Sequence, residues 1–387
     1  MTRTTWFLFP LSVAMLTVAC TKASFYGGGR GGSRDLATNS PSNNGPSPAP
    51  DLPLDQRAIP GPESNPSSPP SGPNPPGGPG GSPSLPNSPV TPGVPTCKPG
   101  QVKTGTQISF LIDNSNSNAS TDCPAAKKIG SFGGVDTFEC GEETSREKAV
   151  LAVYDLLKEF GAGEPADGLA SSVVGVTSFP TVDDYVSGYK IQSPFVAAKG
   201  ENRPQLEKAL KFARKPFGLT PYLAAMSSAE DMMKSAANDK RSKVVILVTD
   251  GEPTDRSAKS VAVKADSLRA SGIKVVSVYY NGGMSRSARN ATHLSMMTRF
   301  EEAYLSRPEG HWYDQGQFGS FDSYARYLVG DAESPSLLMR MTSKEDPACQ
   351  DAAGTICPRK SYEVGNAEEL KKAFLDIVTT QAIGCGS

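Results

Sequence analysis

Three short segments of the chain carry oxygen side chains of the kind that bind hard divalent cations. Asp113, Ser115 and Ser117 form a DxSxS pattern, Thr220 lies in a Gly-Leu-Thr-Pro turn, and Asp250 lies in a Thr-Asp-Gly turn. Carboxylate and hydroxyl oxygens together suit Mg²⁺ or Mn²⁺. Because the set holds few carboxylates, a bound ion could still accept a carboxylate oxygen from another molecule. These residues therefore point to cation-mediated recognition of an acidic group.

The three segments follow predicted strands or open a predicted helix. Residues 107–112 form an apolar run directly before Asp113, and residues 243–249 form the clearest buried strand, directly before Asp250. A helix is predicted over residues 221–237. In open parallel sheets, ligands bind at the carboxyl ends of the strands. The segments are therefore expected to meet at one edge of a sheet.

The rest of the folded part also alternates between strands and helices. Thr144 and Glu147 form a capping box that opens a predicted helix over residues 146–160, and Asn366 with Glu369 opens the last helix. Further predicted elements are strands at 172–179, near 185–191 and at 273–279, and helices at 257–270, around 320–328 and at 367–380. This alternation predicts a doubly wound α/β fold with a mostly parallel sheet and helices on both faces.

The DxSxS, Gly-x-Thr-Pro and Thr-Asp-Gly segments together resemble the metal-ion-dependent adhesion site (MIDAS) of the von Willebrand factor A (vWA) family. The resemblance covers residues 105–280 and resumes at residues 360–364 and the last helix. It implies the vWA fold for the folded part. It also implies a binding function in which a protein partner offers an Asp or Glu carboxylate to the ion.

The resemblance also assigns a role to each residue of the site. Ser115, Ser117 and Thr220 would be hydroxyl ligands of Mg²⁺ or Mn²⁺. Asp113 and Asp250 would hold the waters of the ion and the ligating hydroxyls. The alternative within the family is an intact motif whose metal is only structural.

Two insertions depart from the family pattern, at about 118–143 and 281–358. The first contains Lys127, Lys128 and two cysteines, and either shapes the choice of partner or only decorates the rim of the site. Residues 346–359 of the second are predicted to form a loop. The spacing of the aromatic residues in the second insertion favours a place in the core over a contact surface. These aromatic residues are Trp312, Tyr313, Phe318, Phe321, Tyr324 and Tyr327.

Six of the seven cysteines follow residue 96, and an even number in an exported chain suggests disulfides. Six cysteines allow 15 pairings. The local pairs Cys123–Cys140 and Cys349–Cys357 would close short loops and leave Cys97–Cys385 to join the two ends of the folded part. Metal ligation by thiolates is the alternative, but the chain has no CxxC spacing and only two histidines, His293 and His311.

The first residues have the layout of a secretion signal. Arg3 precedes an apolar run over residues 6–19, which is shorter than the roughly twenty residues that span a bilayer. The run ends in Leu-Thr-Val-Ala-Cys, which resembles a bacterial lipobox and implies a signal peptide over residues 1–19 and acylation (palmitate) of Cys20. Thr21 instead of Asp implies the outer membrane, with the domain facing either the periplasm or the outside. An ordinary signal peptide is the alternative.

Residues 20–96 are rich in Gly, Pro, Ser and Asn and are predicted to form a disordered tether. A flexible chain of this length spans on the order of 50 Å root-mean-square. Residues 97–387 are the predicted folded domain. The net charge of −1 gives no long-range attraction to nucleic acid, so no nucleic-acid partner is expected.

Enzymatic hypotheses find little support, because the sequence has no P-loop, nucleophile elbow or HExxH motif. Glu252 and Asp255 could provide a general base beside a metal, but a polar turn explains them better. The preferred hypothesis is a lipid-anchored envelope protein, not an enzyme, that binds a protein partner through a cation. A scaffold of an envelope complex, with a metal that braces the loops, is the second hypothesis, and a metal-dependent hydrolase is the third.

Overall fold

The computed structural model describes residues 102–132, 135–161, 172–236, 241–331, 334–345, 359–382 and 384–386. The predicted signal peptide, Cys20 and the predicted tether lie outside the described residues. The predicted disulfides Cys97–Cys385 and Cys349–Cys357 also involve residues outside them. Within the described ranges, no helix is both long enough and apolar enough to cross a membrane.

The strands and helices alternate along the chain. The strands are β1 Val102–Thr104, β2 Thr106–Asp113, β3 Lys127–Phe132, β4 Val135–Glu139, β5 Val173–Phe179, β6 Lys190–Ala197, β7 Ser242–Thr249, β8 Lys274–Tyr280, β9 Ser361–Val364 and β10 Gly384–Gly386. The helices are α1 Asn118–Thr121, α2 Ser145–Gly161, α3 Arg203–Leu210, α4 Tyr222–Ser235, α5 Ala258–Ala270, α6 Arg286–Leu305, α7 Gln315–Phe318, α8 Phe321–Val329, α9 Leu337–Met341 and α10 Ala367–Ile377.

A six-stranded sheet with the order β6-β5-β2-β7-β8-β9 forms the centre of the domain. Neighbouring strands are parallel, except that β6 runs antiparallel to β5 at one edge. The central strands β2 and β7 bury side chains on both faces, as their apolar runs require. The predicted doubly wound α/β fold with a mostly parallel sheet is confirmed.

Two apolar cores cover the two faces of the sheet. Leu111 of β2 belongs to a core that includes residues of α4, α5, α6, α8 and α9. Phe110 and Ile112, its neighbours in the strand, belong to the other core, with residues of α2, α3 and α10. This division follows from the two-residue period of a strand. The ring centroids of Phe110 and Phe374 lie 5.4 Å apart, so α10 contacts the central strand directly.

Side-chain caps define the beginnings of two helices where the sequence predicted them. The N–H of Thr144 donates to Glu147 Oε2 at 2.8 Å, and the N–H of Glu147 donates to Thr144 Oγ1 at 3.2 Å. At the start of α10, the N–H of Glu369 donates to Asn366 Oδ1 at 2.9 Å. Both predicted helix starts are confirmed.

The strand predicted near residues 185–191 is wrong in its bounds. Residues 185–187 form a turn, and β6 begins only at Lys190. The carboxylate of Asp184 accepts the N–H groups of Val186 at 3.2 Å and Ser187 at 2.9 Å. Such a side-chain cap stabilises a turn in place of an extended strand.

The second insertion contains α6, a helix of 20 residues that the sequence pattern did not predict. The buried face of α6 includes Arg289, His293 and Glu301. Because these residues are polar, the apolar periodicity that signals a helix is weak in this segment. Packing of Met297 and Phe300 into the first core explains why the segment is nevertheless helical.

The aromatic residues of the second insertion extend the first core. Phe321 and Tyr327 are half-buried against this core, and the Trp312 ring centroid lies 4.7 Å from that of Phe300. The predicted preference for core over contact surface agrees with this packing. The aromatic residues that are fully or almost fully buried are Trp312, Tyr313, Phe318 and Tyr324.

The first insertion forms α1 and a hairpin of β3 and β4. A disulfide joins Cys123 and Cys140 at the base of this hairpin. The N–H of Cys140 donates to the carbonyl of Arg214 at 2.8 Å, which attaches the hairpin to the segment before α4. A separate antiparallel pair, β1 with β10, joins the two ends of the described domain.

The buried imidazole of His293 makes the stability of the domain sensitive to acid. Neither ring nitrogen has a hydrogen-bond partner among the described residues, and burial lowers the pKa of His293 from 6.5 to about 3. Between these two pH values the unfolded chain binds more protons than the folded one, so the free energy of unfolding falls as the pH drops below 6.5.

We expect His293→Leu to flatten this pH dependence and to raise the free energy of unfolding at neutral pH by about 1 kcal/mol, because unpaired buried nitrogens are removed. Urea unfolding of both proteins at several pH values between 4 and 7.5 measures the effect. An equal loss of stability with acid in both proteins would contradict the prediction.

Candidate metal centre

The five residues predicted to bind a cation converge at the carboxyl edge of the sheet. Asp113 ends β2 and Asp250 follows β7, and these two strands are parallel neighbours. The Ser115 and Ser117 hydroxyl oxygens lie 3.0 Å apart, and Ser117 Oγ donates to Asp250 Oδ1 at 2.8 Å. We refer to Asp113, Ser115, Ser117, Thr220 and Asp250 as the candidate metal centre.

Gly251 shows how closely the Thr220 hydroxyl approaches the rest of the centre. A methyl group on Gly251 would lie 3.0 Å from Thr220 Oγ1 and 3.3 Å from Ser117 Oγ. Both hydroxyls therefore lie close to the space that a side chain of Gly251 would fill. A side chain at this position would crowd both oxygens, which explains the glycine after Asp250.

The carboxylate of Asp113 is completely buried and held by donors on both oxygens. Oδ1 accepts the N–H of Ser115 at 2.7 Å, and Oδ2 accepts the hydroxyl of Thr249 at 2.6 Å. Burial raises the pKa of Asp113. The backbone carbonyl of Asp113 accepts a hydrogen bond from the Arg146 guanidinium.

The carboxylate of Asp250 is held by hydroxyl groups. Oδ1 accepts from Ser117, and Oδ2 accepts from Thr121. Burial, followed by the charge of Asp113, raises the pKa of Asp250 to about 7. Two like-charged groups are therefore buried close together, which a bound cation would relieve.

The donor chemistry of the centre fits a hard cation. No cluster of three or more His, Cys, Asp and Glu side chains able to hold a metal exists among the described residues. Besides its two carboxylates, the centre offers three hydroxyl groups, and hard divalent cations readily bind such oxygens. The residues present thus fit Mg²⁺ or Mn²⁺ better than a metal that prefers thiolate ligands.

Backbone contacts position the Thr220 turn against the DxSxS loop. The N–H of Asn116 donates to the carbonyl of Gly218 at 3.0 Å, and the N–H of Thr220 donates to Thr254 Oγ1 at 3.1 Å. Gly218 has φ +88°, and a methyl group on it would lie 2.7 Å from the carbonyl oxygen of Tyr185. Glycine is required there by both conformation and space.

Glu252 and Asp255, the candidate general bases, make structural contacts. Asp255 accepts the N–H groups of Tyr222 at 2.7 Å and Leu223 at 3.0 Å and so caps α4. Glu252 forms an ion pair with Arg289 of α6 at 3.1 Å. Burial raises the pKa of each carboxyl group to about 7. This arrangement favours the interpretation of these residues as a polar turn.

The sequence interpretation missed three residues that support the centre. Thr121, at the end of α1, donates to Asp250. Asp122 forms a buried ion pair with Arg146 at 2.6 Å and also accepts the N–H of Ser145 at 2.7 Å. A helical turn predicted directly after Ser117 would have brought Thr121 to the same side, because residues four apart on a helix are neighbours.

The fold and the geometry define a doubly wound α/β domain with an oxygen-rich cluster at the carboxyl edge of its sheet. Residues 148–324 match the family profile of the von Willebrand factor type A domain. The match contains Thr220 and Asp250, and it begins after the DxSxS motif at residues 113–117. A comparison with curated proteins gave no match.

Several solved structures are similar to this chain. One is the pilus adhesin SpaC from Lactobacillus rhamnosus GG in its open conformation, with 12% identity and a TM-score of 0.42 over 72% of this chain and 30% of that chain. Another is proximal thread matrix protein 1 from the mussel byssus with a zinc-occupied MIDAS motif, with 13% identity and a TM-score of 0.40 over 73% and 47%. Manganese-loaded TRAP protein from Plasmodium vivax shows 12% identity and a TM-score of 0.29 over 55% and 72%. The chain thus spans less than half of the first two proteins.

Thr121 offers a test of the support around the centre. We expect Thr121→Val to weaken Mg²⁺ binding by about tenfold, because Asp250 loses the donor that orients one of its oxygens. Calorimetric titration of Mg²⁺ into the full-length protein measures the affinity. Ser120→Ala is the matched control, since the exposed Ser120 hydroxyl donates to the backbone carbonyl of Ser117 and to no carboxylate among the described residues. Equal affinities of the two variants would contradict the assigned role.

Proposed function

We propose that the domain binds a protein partner through Mg²⁺ or Mn²⁺, which takes an Asp or Glu carboxylate from the partner. The observation that carries this proposal is the convergence of two buried carboxylates and three hydroxyls at one edge of the sheet. The hydrogen bond from Ser117 to Asp250 joins residues 133 positions apart in the sequence. Such a set is poorly explained by local turn capping alone.

Each residue of the centre has a distinct task in this proposal. Ser115, Ser117 and Thr220 would hold the ion through their hydroxyl oxygens. Asp113 and Asp250 would orient the loop and the hydroxyls, as their present contacts with the Ser115 N–H and the Ser117 hydroxyl indicate. When bound, the ion supplies a Lewis-acidic position for a carboxylate oxygen.

The charges around the centre support the same proposal. Arg146 is the buried guanidinium beside Asp113, but its Nε donates to Asp122 and its Nη1 to a backbone carbonyl. The carboxylates of Asp113 and Asp250 thus receive no direct ion pair from it. A divalent cation would balance these two charges and would leave an incoming carboxylate without net repulsion.

Titration of Mg²⁺ into the full-length protein and its Asp250→Asn variant tests the cation site. We expect the wild type to bind one Mg²⁺ and the variant to bind none, because the substitution removes one of the two carboxylates of the candidate metal centre. At a Mg²⁺ concentration 100 times Kd, the wild type should gain about 2.7 kcal/mol in the free energy of unfolding.

The outcomes separate the binding function from a scaffold function. If neither Mg²⁺ nor Mn²⁺ gave a binding signal in calorimetry or raised the unfolding temperature of the wild type, the cation site would be contradicted. Stabilisation by Mg²⁺ without any Mg²⁺-dependent binding of acidic peptides would favour a scaffold in which the ion braces the loops.

We propose further that the protein is exported and anchored in the outer membrane through an acylated Cys20. The support is the apolar run over residues 6–19 and the lipobox-like sequence that ends in Cys20. Residues 20–96 would then act as the tether between the membrane and the domain, with a length on the order of 50 Å.

Metabolic labelling with an alkyne palmitate analogue in an enteric host tests the anchor. The wild type should incorporate the label and fractionate with the outer membrane, whereas Cys20→Ser should lose the label. Thr21→Asp is the matched control, which should keep the label and move to the inner membrane. Undiminished labelling of Cys20→Ser would sink the proposal of this anchor.

A further inference from the structure

Three exposed apolar side chains, Val182, Val186 and Met284, lie on loops next to the candidate metal centre. Single exposed apolar residues are normal on a protein surface, but a group of them at one place marks an interaction site. The described part of the chain has seven large apolar side chains that are well exposed, and only Val263 and Leu305 lie within or at the end of long helices. The other five lie on loops, at a strand start or on the hairpin: Ile129, Val182, Val186, Ile191 and Met284.

Val182 and Val186 border the centre on the side of Thr220. They lie on the loop that joins β5 to β6, and they are 62% and 37% exposed. The carbonyl of Tyr185, between them, accepts the N–H of Leu219 at 2.9 Å. This contact fixes the loop beside the turn that carries Thr220.

Met284 borders the centre on the side of Asp250. It lies in the turn after β8 and is 42% exposed. A methyl group on Gly282 of this turn would lie 3.5 Å from Thr121 Cγ2, and Thr121 donates to Asp250. The turn therefore lies next to Thr121, which holds one oxygen of Asp250.

The order of the strands places these side chains on both sides of the centre. In the order β5-β2-β7-β8, Asp113 and Asp250 follow the two inner strands. The apolar rim, which we define as Val182, Val186 and Met284, follows the two outer strands. Neighbouring strands lie about 4.8 Å apart, so three spacings separate β5 from β8 by about 14 Å.

An extended peptide matches this spacing. Its residues rise by about 3.3 Å each, and side chains two positions apart lie on the same face. Side chains two positions before and two positions after a central residue are therefore about 13 Å apart and point the same way. When the central acidic side chain faces the ion, the two flanking side chains would lie over the apolar rim on either side of it.

We propose that the partner presents an extended segment with an acidic residue and apolar residues two positions before and two positions after it. This inference rests on the proposed cation-dependent function. The ion takes the carboxylate, and the rim buries the apolar side chains. Burial of these side chains at both ends supplies affinity that the carboxylate alone does not.

Fluorescence anisotropy with the full-length protein in Mg²⁺ tests the register. Three synthetic peptides of equal length are compared. The first has a central glutamate with leucines two positions before and two positions after it, and the second has the same glutamate with leucines directly beside it. The third repeats the first with glutamine in place of the glutamate. We expect the first peptide to bind about tenfold more tightly than the second. The glutamine peptide should show no Mg²⁺-dependent binding.

Substitution of the rim gives the matched comparison. A variant with Val182→Ser, Val186→Ser and Met284→Ser should lose the preference for the first peptide but keep its Mg²⁺ dependence. The double variant Val263→Ser and Leu305→Ser should keep the preference, since neither residue lies on the loops next to the centre. Val263 lies within α5, and Leu305 lies at the far end of α6, a helix of 20 residues. Thermal unfolding checks that the exposed substitutions leave the fold intact.

The outcomes distinguish the rim from the cation site. Equal affinities for the two glutamate peptides, or a preference that survives the rim substitutions, would overturn the proposed rim and leave the cation-dependent function in place. Absence of Mg²⁺-dependent binding by every glutamate peptide would overturn both.

Discussion

The burial of two carboxylates side by side is the constraint on which the candidate metal centre depends. Asp113 and Asp250 are both removed from water, and burial raises the pKa of each. Buried charge is tolerated only where hydrogen bonds or an opposite charge compensate it. The loops around the two residues are accordingly arranged as donors, and the groups that donate to them are the Ser115 N–H and the hydroxyls of Ser117, Thr121 and Thr249.

The sheet and the centre could be predicted because the strongest sequence signals coincide there. The apolar runs before Asp113 and Asp250 identify central strands, and parallel strands bring the loops at their carboxyl ends to one edge. The long helix α6 escaped prediction because Arg289 and His293 lie on its buried face. Thr121 escaped because its role depends on a short helical turn at residues 118–121 that the sequence interpretation did not include. In both cases the local structure depends on tertiary contacts, which the sequence pattern does not show.

Three consecutive residues hold the base of the hairpin insertion by three different kinds of bond. Thr121 donates a hydrogen bond to Asp250, Asp122 forms a buried ion pair with Arg146, and Cys123 forms a disulfide with Cys140. The hairpin strands β3 and β4 pair only with each other among the described strands. The position of the hairpin beside the centre therefore depends on its base and not on the central sheet.

The position of β2 decides how the domain would carry mechanical load. Its first residue, Thr106, lies just after β1, and its last residue, Asp113, belongs to the centre. A pull on the chain before Val102, resisted by a ligand at the centre, would first reach the short β1–β10 pair. It would then run along the axis of β2, which is hydrogen-bonded to β5 on one side and to β7 on the other. Rupture would require the bonds on both sides to shear together, so β2, which leads from the N-terminal end of the described domain to the centre, is well placed to resist tension.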